Sequence, residues 1–581
     1  MSTAQQRRRV EIYDTTLRDG TQGAGVSFTL ADKLKITRHL DALGIDYIEG
    51  GYPLSNPKDA AYFEEVRRLK LRHAKVAAFG MTRRKGIAAA QDTGMQALVE
   101  AQAPVVTIVG KSWDLHVEKV LGVTRAENLD MIRDSVDFCR RKLEARGGHA
   151  GGSSGGHSGG VFYDAEHFFD GFAANRDYAL ATLQAALEGG AVRLILCDTN
   201  GGSLPARISQ TVREVLAFIK TLPMAQRPRE ARGDGAGEFR GLGIHVHNDG
   251  GLAVANSLAA VEAGCGQVQG TINGIGERCG NVDLTTVIAN LHLKMGLDCL
   301  QASPDGIPGV ARLTETSRFV YEVANLNLVP SQPYVGTAAF AHKGGMHVHA
   351  VQKVAASYEH VPPEKVGNTR RVLISELSGV SNVAATLGTK FPVANDKAFQ
   401  RKLVQKVAEL ENQGYQFEAA GASFELLLHD LLGDRPRYWD LDHYRCTILK
   451  RNGDGPTTEA TVKMLVDGQM RHEVAEGDGP VNALDGALRK CLLPAYPQIG
   501  RIHLRDYKVR VVNATAESAA KVRVVVDFSV LDGTAAMPKE QAPAAHFTTV
   551  GVSENIVDAS WQALMDAFVY HLIECQVKPA Q

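Results

Sequence analysis

The chain has 581 residues, 64 Lys and Arg against 65 Asp and Glu, a net charge of −1 and 44% apolar residues. That length allows about three to four ordinary domains, or fewer if one is a large α/β barrel, and near-neutral charge argues against nucleic acid or a membrane surface as partner, since both select a basic face. No apolar run approaches the ~18 residues of a membrane span, Arg7–Arg9 lead into Val-Glu-Ile-Tyr-Asp with no signal-peptide core, and the 8 cysteines include no CxxC pair, so a soluble protein of the reducing cytoplasm is expected.

Residues 10 to 290 repeat one theme: a short apolar, β-branched run, a polar or Gly-rich turn, then a helix-like stretch. The runs are Val10–Tyr13, Tyr47–Glu49, Val76–Phe79, Val105–Val109, Val161–Tyr163, Leu194–Cys197, Leu242–His245 and Val268–Thr271. Strands alternating with amphipathic segments call for a parallel sheet, and eight such units over ~250–300 residues fit a closed (β/α)8 TIM barrel; an open doubly wound sheet is the alternative. Thr29-Leu-Ala-Asp32 resembles a capping box, with Leu34, Ile36, Leu40 and Leu43 as the apolar positions of a first helix ending at Gly44. Two insertions interrupt the pattern. Gly147–Gly160 has 8 glycines in 14 residues and reads as a flexible surface loop, its His149 and His157 solvated; Ala225–Gly241 reads the same way.

The barrel is placed at residues 1–295, and a mainly helical linker region follows over 296–425. Beyond it an α+β domain, 435–577, is built from two βββα repeats. Tyr444–Lys450, Ala460–Val466 and Met470–Ala475 lead into a helix over Ala483–Leu493, and Tyr507–Val512, Val522–Val530 and His546–Val550 lead into Ile556–Ile573. The matched helix starts are candidate anion or carboxylate sites, or ordinary capping turns.

In a barrel, functional groups sit just after the strands, and the polar clusters fall there. Strand one is followed by Asp14-Thr-Thr-Leu-Arg18-Asp19-Gly-Thr-Gln22, strand six by Asp198-Thr199-Asn200. Strand seven ends in His245-Val-His247-Asn248-Asp249, and strand eight in Asn273-Gly-Ile-Gly-Glu277-Arg278-Cys279-Gly-Asn281. His245 and His247 are two apart in an extended segment, so both imidazoles project from one face. Two neutral imidazoles with oxygen donors suit Zn²⁺ or Mn²⁺; Asp19 could supply a carboxylate and Asn281 an amide oxygen. Such a site does Lewis-acid work, and a bidentate α-keto acid would fill two open positions. A carbon acid then needs a base, for which Glu166 and Glu277 are candidates; Glu277 could equally brace its loop against Arg278.

At these residues DTTLRDGTQ, HVHND and NGIGERCGN resemble, in order and spacing, the metal-dependent Claisen-condensing acyltransferases that include 2-isopropylmalate, homocitrate and citramalate synthases. The likeness continues through Ala339-Phe-Ala-His342-Lys-Gly-Gly-Met-His347 and Tyr358, and the βββα repeat resembles the family's amino-acid-binding regulatory domain. Ile48-Glu-Gly-Gly-Tyr52, Val161-Phe-Tyr-Asp-Ala-Glu166-His167-Phe-Phe-Asp170-Gly171 and Leu196-Cys-Asp-Thr-Asn-Gly-Gly202 are most similar to the longer bacterial citramalate synthases. The resemblance implies a condensation of acetyl-CoA with pyruvate and water to (R)-citramalate and CoA, feeding isoleucine synthesis, with isoleucine as the expected feedback inhibitor.

Carried over by motif, it implies a divalent ion (zinc, manganese or magnesium) on Asp19, His245, His247 and Asn281. Arg18 would bind the keto oxygen, Thr199 the keto-acid carboxylate, and Gln22 and His116 would reach the substrate. Glu166 and Glu277 would be catalytic or site-organising acids. His347 and Tyr358 would reach into a neighbouring subunit's barrel, implying a homodimer, while His342, Lys343 and His349 read as solvated. Pyruvate needs a narrow methyl subsite, for which Tyr47, Tyr52 and Tyr163 are bulky candidates. The rivals are a sibling synthase, a hydroxymethylglutaryl-CoA-lyase-like enzyme using Cys279, and a non-catalytic amino-acid sensor, which an intact metal set disfavours.

Overall fold

The computed structural model describes residues 8–146, 159–223, 241–303, 305–342, 345–372, 396–417, 420–452, 455–512, 520–530 and 545–579. The two insertions expected at Gly147–Gly160 and Ala225–Gly241 lie, but for their last residues, outside this set, as does Lys343.

All eight expected strands form: β1 (Glu11–Asp14), β2 (Tyr47–Gly51), β3 (Lys75–Met81), β4 (Val105–Lys111), β5 (Gly160–Glu166), β6 (Arg193–Asp198), β7 (Leu242–Val246) and β8 (Gln267–Gly270). They pair in sequence order, all parallel, and β8 returns to β1 with Ile12 beside Val268, closing the barrel. Helices cross between successive strands. The first, α1 (Leu30–Leu43), starts on the anticipated capping box: Thr29 accepts from the Asp32 N–H, and the Asp32 carboxylate accepts from the Thr29 N–H. It ends at Gly44, whose φ of 94° is the left-handed conformation glycine accommodates.

Side-chain parity along each strand sorts the barrel into two cores. Ile12, Ile48, Val106, Ile108, Val161, Leu194, Ile244 and Val268 face outward into one buried cluster with the helices; each such side chain contributes roughly 1.5–3 kcal/mol on burial. Their neighbours in sequence face inward, where Tyr13, Tyr47, Ala77, Val105 and Phe162 form a separate layer. Polar groups lie above and below that layer, at the strands' carboxyl and amino ends.

The described chain forms two compact units, 1–340 with 360–370, and 341–359 with 371–581. Within the second, helices Lys397–Asn412 and Gly421–Leu432 precede two antiparallel three-stranded sheets. The first sheet holds β9 (Trp439–Leu449), β10 (Thr457–Val466) and β11 (Gln469–Gly477), followed by helix Pro480–Leu492; the second holds β12 (Ile502–Val511), β13 (Val522–Val530) and β14 (Ala545–Ser553), followed by helix Ile556–Glu574. The βββα repeat thus stands as expected. In β10 the alternate residues Ala460, Val462, Met464 and Val466 are buried with Leu484 and Leu488 of the following helix, the period-two signature of a sheet covered on one face. No helix among the described residues is long and apolar enough to cross a membrane.

Candidate active site

Because the strands are parallel, their carboxyl ends share one mouth, and β1 and β7 bring Asp19, His245 and His247 together there. One ligand atom from each lies within 4.8 Å of the others, and all three residues are buried. His245 Nδ1 lies 3.1 Å from Gln269 Oε1, and Gln269 Nε2 donates to Asp164 at 3.4 Å. That chain holds the ring so that Nε2 faces the Asp19 carboxylate, 3.3 Å away. Burial works against the His245 charge, but the Asp19 hydrogen bond and charge outweigh it and raise its pKa, so a proton or a cation sits well between the two atoms. Asn281 pairs by its backbone with His247, and its amide nitrogen faces the Ile275 carbonyl at 3.5 Å. A Cβ on Gly276 would stand 2.3 Å from that nitrogen, so the amide fits only against glycine.

The ionisation states suit the same purpose. Burial disfavours the Asp19 charge, but Arg18, His245 and His247 outweigh it and hold its carboxyl well below the ordinary range. Burial, then the charge of His245, pushes His247 down to about 4, so it is a neutral donor near pH 7. His247 Nδ1 and Asn281 Oδ1 are buried without a hydrogen-bond partner, a costly arrangement for polar atoms. An ionised carboxylate, two imidazoles and an unpaired amide oxygen fit a divalent cation.

Arg18 sits beside this group. Its Nε donates to Glu49 at 2.8 Å, its Nη1 lies 3.4 Å from Asp19, and its guanidinium lies 3.8 Å over the Phe79 ring. Burial works against its charge, yet Asp19 and Glu49 raise its pKa above the ordinary value. Glu49 is buried and also accepts from Tyr13 at 3.0 Å and Thr15 at 2.5 Å. Glu49, Asp164, Gln269 and Phe79 are site residues that motif reading passes over. Their signal is parity: Glu49, Gln269 and Asp164 share the inward face with Tyr47, Gln267 and Phe162, so buried polar groups there must find partners.

Thr199, after β6, accepts from the His167 N–H at 2.9 Å, while its own carbonyl accepts from Arg278 at 2.7 Å. His116 packs against His167 with ring centroids 4.3 Å apart, and its buried Nδ1 is unpartnered. Glu166 stands opposite Lys111 in the β4–β5 register and its carboxylate takes the Lys111 ammonium. Glu277 is exposed and pairs with Arg278 at 3.7 Å, as the bracing alternative expects, while Asp249 is the closer partner of that arginine at 2.8 Å. Gln22 is exposed, on the short turn Gly20–Gln22. His347 and Tyr358 belong to the second compact unit, where their rings stack at 4.3 Å; in the same unit His342 pairs with Glu359 at 3.2 Å rather than being solvated.

Two of the three tyrosines expected to narrow a methyl subsite lie elsewhere. Tyr163 is one residue out of phase with Phe162 and Asp164, so it faces the outer core. Tyr47 faces inward, but one layer below Glu49, with its hydroxyl 3.4 Å from Glu11. Tyr52 is at the mouth, edge-to-face with Phe79 at 6.5 Å.

Comparison with known proteins agrees with this architecture. A family model described as HMGL-like matches residues 9–303, one for a homocitrate synthase post-HMGL domain matches 334–414, and one for a LeuA allosteric (dimerisation) domain matches 418–572. An (R)-citramalate synthase of Aquifex aeolicus is 45% identical over 97% of this chain and 98% of its own. One of Synechocystis is 46% identical over 97% and 96%, and a 2-isopropylmalate synthase of Methanocaldococcus jannaschii is 28% identical over 96% and 94%. With near-complete mutual coverage at that identity, and with an HMGL-like domain spanning the barrel, the chain belongs to the (R)-citramalate synthase family.

Proposed function

We propose that this protein condenses acetyl-CoA with pyruvate and water to give (R)-citramalate and CoA. The likeness at 45–46% identity to (R)-citramalate synthases over 97% of the chain carries the reading, and the donor set at the barrel mouth supports it. Asp19, His245, His247 and Asn281 would hold a divalent ion, zinc, manganese or magnesium, which when bound supplies Lewis-acid polarisation of the keto acid. Arg18, held by Glu49 and Phe79, keeps a fixed positive charge facing the same space; it binds the keto oxygen and stabilises the negative charge that grows there as the new carbon–carbon bond forms. The Thr199 hydroxyl holds the keto-acid carboxylate, and His116 and Gln22 border the substrate. A thioester α-proton is weakly acidic, so its removal is coupled to an electrophile already in place. Glu166, fixed by Lys111, and Glu277 act as the carboxylates of the mouth, with His347 and Tyr358 supplied by a neighbouring subunit. Hydrolysis of the product thioester needs water in the same pocket.

A free-CoA assay over pyruvate, 2-ketoisovalerate and 2-oxoglutarate tests this. Pyruvate is expected to have the highest kcat/KM; a clear preference for either larger acid overturns the assignment in favour of a sibling synthase. Retained activity in Cys279→Ser dismisses a lyase-type cysteine mechanism. The tail from about residue 444, within the match to the allosteric (dimerisation) domain, supports feedback inhibition, with isoleucine the effector, and a homodimer. Deleting it is expected to abolish inhibition while leaving some turnover; inhibition that persists in the shortened enzyme refutes the regulatory role.

A further inference from the structure

We infer that His167, with Asp170, is a positioning residue that aims the Thr199 hydroxyl at the keto-acid carboxylate. The inference rests on the substrate-binding role of Thr199 proposed above and extends it to residues with no assigned role.

The geometry has three parts. First, the His167 N–H donates to Thr199 Oγ1 at 2.9 Å. A hydroxyl has one proton and two lone pairs. With one lone pair taken by a backbone donor, the hydroxyl keeps its proton to donate, which is the polarity a carboxylate requires.

Second, that N–H is aimed by an uncommon backbone. His167 has φ 54° and ψ 34°, a left-handed conformation that is unfavourable for a non-glycine residue and persists only where the surroundings fix it. Here the side chain does so. The buried ring lies 4.3 Å from the ring of His116 and 5.8 Å from that of Trp113, and Nδ1 lies 3.3 Å from Asp170 Oδ2.

Third, the same Asp170 oxygen accepts from Asn200 Nδ2 at 2.9 Å, and Asn200 follows Thr199 directly. The β5 and β6 corners are therefore joined twice, once by the His167 backbone at Thr199 and once by Asp170 at Asn200. Arg278 holds the Thr199 carbonyl from the β8 side at 2.7 Å. An ordinary buried histidine would need one satisfied partner; this one fixes the backbone that orients its neighbour's hydroxyl.

A double-mutant cycle on the full-length enzyme tests this, with steady-state kinetics in pyruvate and acetyl-CoA. Thr199→Val is expected to raise the pyruvate KM about tenfold to a hundredfold, the loss of one hydrogen bond to a charged group. His167→Ala and Asp170→Ala should each raise it about tenfold, with kcat within threefold and the acetyl-CoA KM unchanged. The double variant Thr199→Val with His167→Ala should be no worse than Thr199→Val alone. His167→Asn, which tolerates the left-handed conformation and keeps a donor for Asp170, should restore pyruvate KM to within threefold of wild type. If Thr199→Val raises the pyruvate KM but His167→Ala does not, or if their effects multiply, the positioning role is overturned and Thr199 stands. If Thr199→Val leaves pyruvate KM unchanged, the reading of Thr199 fails and this inference with it.

Discussion

At the floor of the barrel, Glu11 accepts from Arg193 through two bonds of 3.1 Å and from Gln267 at 3.1 Å, with the Tyr47 hydroxyl 3.4 Å away. At the mouth, beyond the layer of Tyr13, Tyr47 and Phe162, an equally buried set of Asp19, His245, His247 and Asn281 leaves His247 Nδ1 and Asn281 Oδ1 without partners. Both ends bury charge inside one barrel. The floor neutralises its carboxylate with a guanidinium built into β6 and, among the described residues, leaves the neutral Gln267 Oε1 unpaired. The mouth turns the donor atoms of Asp19, His245 and His247 toward a common point and, with Arg18 already beside Asp19, still leaves two neutral atoms without a partner. Closed polar networks hold a fold together, whereas a deliberately incomplete one has room for a ligand.

If that contrast is right, the two ends fail differently. His245→Ala or Asp19→Ala should lower kcat by at least ~10³-fold, the several kcal/mol that a Lewis acid supplies, while the thermal midpoint moves little. Chelator treatment should mimic this and be reversed by added metal; activity indifferent to both would remove the contrast. Arg193→Met should do the opposite. It removes the guanidinium from the Glu11 ion pair and is expected to cost about 3–5 kcal/mol of unfolding free energy, with kcat per folded molecule near wild type. A smaller effect falls between the ends: Gln269→Leu removes the acceptor that fixes His245 Nδ1 and should weaken metal affinity about 10–100-fold, measured by competition with a chromophoric chelator.

The same contrast explains which parts are legible in the sequence. The strands are, because β-branched runs recur at barrel spacing, and so is the meeting of Asp19, His245 and His247, because each stands in a polar cluster at or just after the carboxyl end of a strand. Glu49 and Gln269 lie inside strands, and what they do depends on which side chains the closed barrel brings opposite them. Lys111 and Glu166 meet only through the β4–β5 register, which no single segment encodes. Size alone points to Tyr47 and Tyr163, but parity and depth decide: Tyr163 is out of phase with Asp164, and Tyr47 sits a layer too low.

A buried carboxyl on the outer face of β1, with no cationic partner among the described residues, sharpens the comparison further. Asp14, at the end of β1, is fully buried, and burial pushes it from 3.8 up to about 7 against two bonds from Thr16, with the Glu49 charge adding to the rise. Unlike Glu11, it is tolerated by keeping its proton. From pH ~4 to ~7 the unfolded chain has released that proton while the folded chain retains it, so this group's contribution is complete below pH ~4, declines as pH rises, and is lost above ~7. Asp14→Asn cannot release a proton in either state. The urea midpoint of the variant relative to wild type should therefore climb steadily between pH 4.5 and 7 and level off beyond, even if the amide carries a constant cost from facing the Thr16 N–H. A difference that stays flat across that range would mean the Asp14 carboxyl is ionised in the folded barrel and has a cationic partner, as Glu11 does at the floor.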